Sequence, residues 1–389
     1  MIMATKNAIF QEHLPSYLQA GKQHKGAILK HVCFVTDMHR KAAIRKFKAL
    51  QMKEPFSGEG RGRKESYGAD VTLALKTIWE AGAEVCGELL HPVIPEYVQV
   101  LKRDRLWQHG PAATFKLLCM SMGTVKRRLG KFRKARRAKK GVCATKPSHI
   151  KHLVPVFIGP WQGKPPGWGQ IDTVMHSHSA FGDAVYTLNY TDAATLTPVL
   201  HAQWNKGQQA TCGSMRTIRA IMPFAWAGAH PDTGSEFLNW FILGWCKEQG
   251  IDLSRSRPNH KNDNMYVEER NGHVVRKFIG YLTLNCREAV DALNAVYEML
   301  NPYLLHFVAV RRLIKKERLA SRYKRTYEKT AKTPYQRIQE HDAVSKELKA
   351  RLKAEHEKLN PLILKQEIDR RIETLYATQR RYGNHSSLR

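Results

Sequence analysis

Residues 168–203 hold three consecutive β-forming runs, at 168–175, 184–190 and 198–203, broken by loops that contain Gly182 and Asp192. Helical patterns then cover about 208–221 and 235–249, with a short β-like segment at 224–229 between them. Residues 251–257 read as a fifth strand, and the polar loop 258–264 leads into a helix starting near Met265. Three strands followed by alternating helix and strand imply an α/β fold, a mixed sheet with helices packed on it.

Three acids stand at telling places in this pattern. Asp172 lies within the first strand, in Gly-Gln-Ile-Asp-Thr-Val. Asp232, in His-Pro-Asp-Thr-Gly-Ser-Glu-Phe, directly follows the next core strand, at the sheet edge where ligands gather in such folds. Glu268, in Met-Tyr-Val-Glu-Glu-Arg-Asn-Gly, belongs to the helix that follows the polar loop. Carboxylates held close together repel, a cost that a divalent cation neutralises. Two such ions about 3.5–4 Å apart form the clamp that breaks and rejoins phosphodiester bonds.

The charge balance points the same way. Lys and Arg outnumber Asp and Glu by 64 to 34, a formal net charge of +30, which favours a polyanion as partner through counterion release. Seven cysteines are scattered without a CxxC pair, so neither a disulfide framework nor a thiolate zinc site is expected. No apolar run approaches the length of about 20 residues that a membrane span needs. The expectation is a soluble, cytoplasmic protein with no membrane partner, associated with the nucleoid when bound to DNA.

Upstream, 22–50 reads as two short helices. Ala27, Ile28 and Val32 suit the buried side of the first; Thr36 or Asp37 can cap the second, where Ala43, Ile44 and Phe47 face inward. His39, Arg40, Lys41 and Arg45 are then exposed, as on the recognition helix of a helix-turn-helix. Residues 58–68 are a connector. Val71, Leu75, Ile78 and Trp79 open a second helical region whose last pair, around 120–129, is again turn plus basic helix. Residues 126–140 carry Lys126, Arg127, Arg128, Arg136 and Arg137 with no acid among them, a run suited to a phosphate backbone. The expected organisation is 1–57 helix-turn-helix, 69–130 second helical DNA-binding region, 131–154 basic linker, 155–305 core, 306–340 basic module and 341–389 charged helices. Leu364, Ile368, Ile372 and Leu375 form a stripe behind the Asn360-Pro361 cap, and that stripe needs a partner, its own core or another subunit.

Ile-Asp-Thr, Asp-x-Gly-Ser-Glu-Phe and Asn-Asp-Asn-x-Tyr-Val-Glu-x-x-Asn resemble the integrase catalytic core of bacterial insertion-sequence transposases and retroviral integrases. The resemblance covers roughly 155–305. It implies a ribonuclease-H-like fold, two Mg²⁺ or Mn²⁺ ions per site, cleavage of element ends and strand transfer into target DNA. The metal-binding roles pass to Asp172, Asp232 and Glu268; Arg257, Lys261 and Asn264, before the Glu, would approach DNA near the cut. Assembly of identical subunits on paired ends is expected, since two ends must be cut and joined together. Thr233 stands where many relatives have Asn, and the retroviral His₂Cys₂ zinc module is absent. Glu269 points about 100° away from Glu268 on a helix.

Three other readings compete. Asp232-Thr-Gly-Ser is also an aspartic-protease signature, but that chemistry needs two such carboxylates and only one copy exists. A non-catalytic DNA-binding regulator or inactivated element, or a nuclease without strand transfer, would share the basic character.

Overall fold

The computed structural model describes residues 3–52, 66–132, 150–161, 163–177, 183–257, 261–319 and 322–383. Two compact units divide the chain, Met1–Ser66 and Tyr67–Arg389.

The first unit contains α1 (Met3–Gln19), α2 (Lys22–Thr36) and α3 (Arg40–Gln51). Phe10, Leu29, Val32, Ala43 and Phe47 form its core, with the Phe47 ring stacked on Tyr17 at 4.1 Å. Leu29, not Ala27, faces inward with Val32, because Ala27 stands roughly 200° from Leu29 around the helix. Ile44 is 40% exposed, one residue off the Ala43–Phe47 line. The turn also differs from expectation. Thr36 donates its hydroxyl to the Val32 carbonyl at the end of α2, and Asp37 takes a left-handed conformation that Asp tolerates. The cap of α3 is His39, whose Nδ1 accepts the Lys41 N–H.

The second unit opens with α4 (Ala69–Ala81), α5 (Gly87–Leu90), α6 (Ile94–Arg103), α7 (Pro111–Leu118) and α8 (Met122–Phe132). Val71, Leu75, Ile78 and Trp79 are buried as the periodicity of α4 predicts. Their core does not close on itself; it runs on into the helices that cover the sheet.

That sheet is built from β1 (Trp168–Met175), β2 (Val185–Asp192), β3 (Pro198–Trp204), β4 (Gly228–His230) and β5 (Asp252–Leu253), in the order β3-β2-β1-β4-β5. The first three pair antiparallel, whereas β4 and β5 run parallel to β1. The helices around it are α9 (Gln208–Ile221), α10 (Trp240–Glu248), α11 (Met265–Arg270), a π turn at Asn271–Val275, α12 (Arg276–Phe278) and α13 (Glu288–His306). This is the ribonuclease-H-like arrangement. Every residue of β2 is buried, as expected of a strand covered on both faces. Ile171, Leu188, Tyr190 and Val199 pack on α9 and α10, while Val174, Val185, Leu200 and Ala202 meet the α13 side. β5 is shorter than the 251–257 run, yet Ser254 and Ser256 still donate to Ala229 and Pro231, so the chain keeps following β4 beyond the strand.

The edge of β3 is closed by side chains. Asn294 and Asn301, two turns apart on α13, each bond both backbone groups of one residue. Asn294 takes the N–H and carbonyl of Ala202 at 2.7 and 3.1 Å; Asn301 takes those of Leu200 at 3.0 and 3.1 Å. An edge that would otherwise recruit another strand is thereby satisfied within the chain.

Beyond α13 come a two-stranded hairpin of β6 (Leu313–Leu319) and β7 (Arg322–Tyr327), then α14 (Pro334–Glu340), α15 (Lys346–His356) and α16 (Pro361–Tyr382). A capping box of Thr333 and Gln336 starts α14, and Asn360 caps α16. Leu364, Ile368, Ile372 and Leu375 lie in the same core as Leu293, Val296 and Leu300 of α13. The stripe therefore finds its partner inside its own chain and is no argument for a second subunit.

Ile368→Ala should cost about 2–5 kcal/mol through the cavity it leaves, read as a lower midpoint in urea. Asn294→Ala should cost about 1–3 kcal/mol by leaving the Ala202 N–H and carbonyl without a partner.

Candidate active site

Strand β1 carries the polar residues Gln170 and Asp172 two positions apart, which puts both side chains on one face of the sheet. On that face they hold α11 at its two ends. Gln170 Oε1 accepts the N–H groups of Tyr266 and Val267 at 2.8 and 3.2 Å, and its Nε2 donates to the Asp263 carbonyl at 2.7 Å. The free donors at the start of α11 are thus capped from the strand, since the N-cap residue Asn264 makes no side-chain cap bond. At the far end Asn271 Nδ2 donates to Asp172 Oδ2 at 2.7 Å, and Asn271 Oδ1 accepts from Asn189 at 2.8 Å. Asn189 is the residue opposite Asp172 on β2.

Asp232 follows β4, the parallel neighbour of β1. Its Oδ1 accepts the Gly234 N–H at 2.8 Å, closing the turn that leads to α10. Asp172 and Asp232 are both half-buried. Burial, together with the charge of Asp232, pushes the Asp172 carboxyl up to about 8. Burial raises Asp232 as well, against the pull of Lys206. Glu236, four residues on, is a further carboxylate here; burial raises it, and it acts electrostatically on both Asp232 and Asp172.

Glu268 is exposed on α11 and stands one turn before Asn271, on the helix side that Asn271 directs to Asp172. Glu269 turns elsewhere. It lies 3.8 Å from His273 and lines a separate cleft of about 640 Å³ with Lys126, Arg270 and Lys277. Among the described residues no group of three or more His, Cys, Asp or Glu side chains is disposed to hold a metal ion. Asp172 and Asp232 lie close enough to interact electrostatically, and Glu268 is exposed on α11. The donors are nonetheless of the kind a hard divalent cation takes: oxygen ligands only, partly dehydrated and mutually repelling. Glu236 Oε2 adds a buried oxygen without a hydrogen-bond partner.

The residues expected at DNA fall into three groups. His39, Arg40, Lys41 and Arg45 are exposed around the start of α3, and Arg127 is exposed on α8. Others are tied up within the fold. Lys126 pairs with Glu88 at 2.5 Å, Arg128 donates to the Tyr67 carbonyl and to Thr72, and Arg257 bonds Asp263 at 2.9 Å. Asn264 is only 6% exposed, which removes it from contact with a duplex. Arg136, Arg137 and the Lys261 side chain lie outside the described residues.

Sequence reasoning missed Gln170, Asn189, Asn271 and Glu236 as parts of the site, although Asn271 and Glu236 stand within the integrase-like motifs. For Gln170 a signal existed, because a polar residue two positions from Asp172 on a buried strand must share its face.

No protein-family profile matches the chain. The uncharacterized protein y4rM of Sinorhizobium fredii is 31% identical over 327 residues, covering 84% of this chain and 93% of that one. Among solved structures, the HTLV-2 integrase catalytic core domain in complex with magnesium is similar over 38% of this chain and 93% of its own. There the identity is 13% and the TM-score 0.29.

An acid whose folded pKa is raised stabilises the fold below its unfolded value, near 4, and loses that contribution as pH rises through about 8. Without added divalent cation, melting temperature should fall across that window in wild type more than in Asp172→Asn; equal slopes would contradict the shift.

Proposed function

We propose, from the premise that this chain belongs to the family of the Sinorhizobium fredii protein y4rM, that it is a DNA strand transferase of a mobile element. In this reading it binds the element ends, hydrolyses a phosphodiester bond there and joins the freed end to target DNA. One observation carries the reading. Asp172, within β1, and Asp232, just past the end of its parallel neighbour β4, lie close enough for the charge of Asp232 to act on Asp172, and the helix bearing Glu268 is fastened to β1.

Asp172, Asp232 and Glu268 are the residues that would hold the ions. Bound Mg²⁺ or Mn²⁺ would offset phosphate charge, favour deprotonation of the attacking hydroxyl or water and stabilise charge on the leaving oxygen. The chain's own part is geometric. Gln170 fixes the start of α11, Asn271 orients the Asp172 carboxylate, and the turn at Gly234 orients that of Asp232. Arg40, Lys41 and Arg45 on α3 supply charge for the phosphate backbone of duplex DNA. Several copies would meet on paired ends, because each event joins two ends.

The test is direct. Purified protein, labelled DNA carrying the borders of its own gene, and Mg²⁺ or Mn²⁺ should give nicked ends and joined products. Asp172→Asn, Asp232→Asn and Glu268→Gln should each lower the rate by roughly 10³-fold, the equivalent of several kcal/mol of transition-state stabilisation. Binding without cleavage would favour a regulator, and nicks without joining would favour a nuclease. Replacing His39, Arg40 and Lys41 by Ala should flatten the salt dependence of binding, by about 0.9 in slope for each phosphate no longer neutralised; an unchanged slope would remove α3 from the interface.

A further inference from the structure

Glu236 is 5% exposed, yet its Oε2 has no hydrogen-bond partner. A buried acceptor left in that condition keeps the full cost of its lost hydration, and more when charged. The other oxygen, Oε1, lies 4.0 Å from Lys206 Nζ, and the carboxylate is also bonded by the Thr173 hydroxyl and its own backbone N–H. Thr173 is the residue after Asp172.

A structural role does not account for this oxygen. The turn after Asp232 is closed by Asp232 itself, which accepts the Gly234 N–H. The start of α10 is capped by Asn239, whose Oδ1 accepts the Ile242 N–H at 2.9 Å. Gly234 explains how the two acids share a niche. A Cβ there would fall 2.6 Å from Glu236 Oε2 and 2.9 Å from Asp232 Oδ1, so a missing side chain is what lets both carboxylates close over the turn. The unpartnered oxygen and Asp232 Oδ1 thus flank the same point over Gly234, two acid oxygens whose repulsion a cation between them would relieve.

We infer that Glu236 is a ligand of the divalent cation, its Oε2 forming with Asp172 and Asp232 the buried floor of the site. This rests on the reading that the site takes Mg²⁺ or Mn²⁺. The floor lies within β1 and just past the end of β4, while Glu268 is exposed on α11, on the side open to phosphate. The two parts of the site then have different duties, the floor to retain the ion and Glu268 to engage it from the DNA side.

The experiment titrates full-length protein with Mn²⁺ by calorimetry, in the absence of DNA, and records melting temperature with and without Mn²⁺. Glu236→Gln keeps the shape of the side chain and removes its charge. It should bind Mn²⁺ at least tenfold more weakly than wild type, lose most of the rise in melting temperature that Mn²⁺ gives, and melt no lower than wild type without the ion. Affinity equal to wild type would overturn the inference while leaving the strand-transfer reading intact. A lower melting temperature without the ion would also overturn it, by showing the residue to be structural. Should wild type itself bind no Mn²⁺, both readings fall. If Glu236→Gln does not fold, Glu236→Asp withdraws the oxygens by one methylene. The same tenfold loss is then expected, and unchanged affinity overturns the inference.

Discussion

Helix α11 is fastened to strand β1 by two side chains, Gln170 at its start and Asn271 at its end. The rest of the site depends on that clamp. Gln170 is fully buried and uses both ends of its amide, accepting two N–H groups at the helix start and donating to the Asp263 carbonyl. Asn271 works in the opposite direction, passing a hydrogen bond from Asn189 on β2 through to the Asp172 carboxylate. A polar network like this is stable only when each member is satisfied, because an unpaired amide in a low-dielectric interior costs more than the bond it would have made.

The sheet can carry such a load because its surroundings are closed. Asn294 and Asn301 take the free edge of β3, α9 and α10 cover one face, and α13, backed by α16, covers the other. What remains acidic lies within β1 and just past the end of β4, where Asp172, Asp232 and Glu236 act on one another with Lys206 beside Asp232 and Glu236. The chain carries a large positive charge overall, so this acidic pocket is an exception in its own field. An electrostatic exception of that kind is what a cation site requires.

Much of the architecture was legible from local pattern. Strand β1 and helix α9 begin and end where alternation and helical periodicity place them, and the Asn360-Pro361 pair opens α16 as its cap chemistry predicts. Periodicity was weaker at finer grain. It put Ala27 and Ile44 inward, but the three-helix core selects Leu29 and leaves Ile44 exposed, since small rotations of a helix are decided by what packs on it. Helix α1 was not foreseen at all, and it supplies Phe10 to that core.

The sequence by itself determined the order of the sheet's strands and of the helices between them, with Asp172 in the first strand and Asp232 after the fourth, because side-chain period, caps and turn residues act within a few residues of themselves. Only the tertiary structure decided which distant groups meet. It turned the 364–375 stripe onto α13 instead of a second subunit, drew Arg128, Arg257 and Asn264 into internal contacts or burial, and set Glu236 beside Asp232. Burial and Coulomb interaction depend on neighbours brought from far along the chain, and no local pattern carries that information.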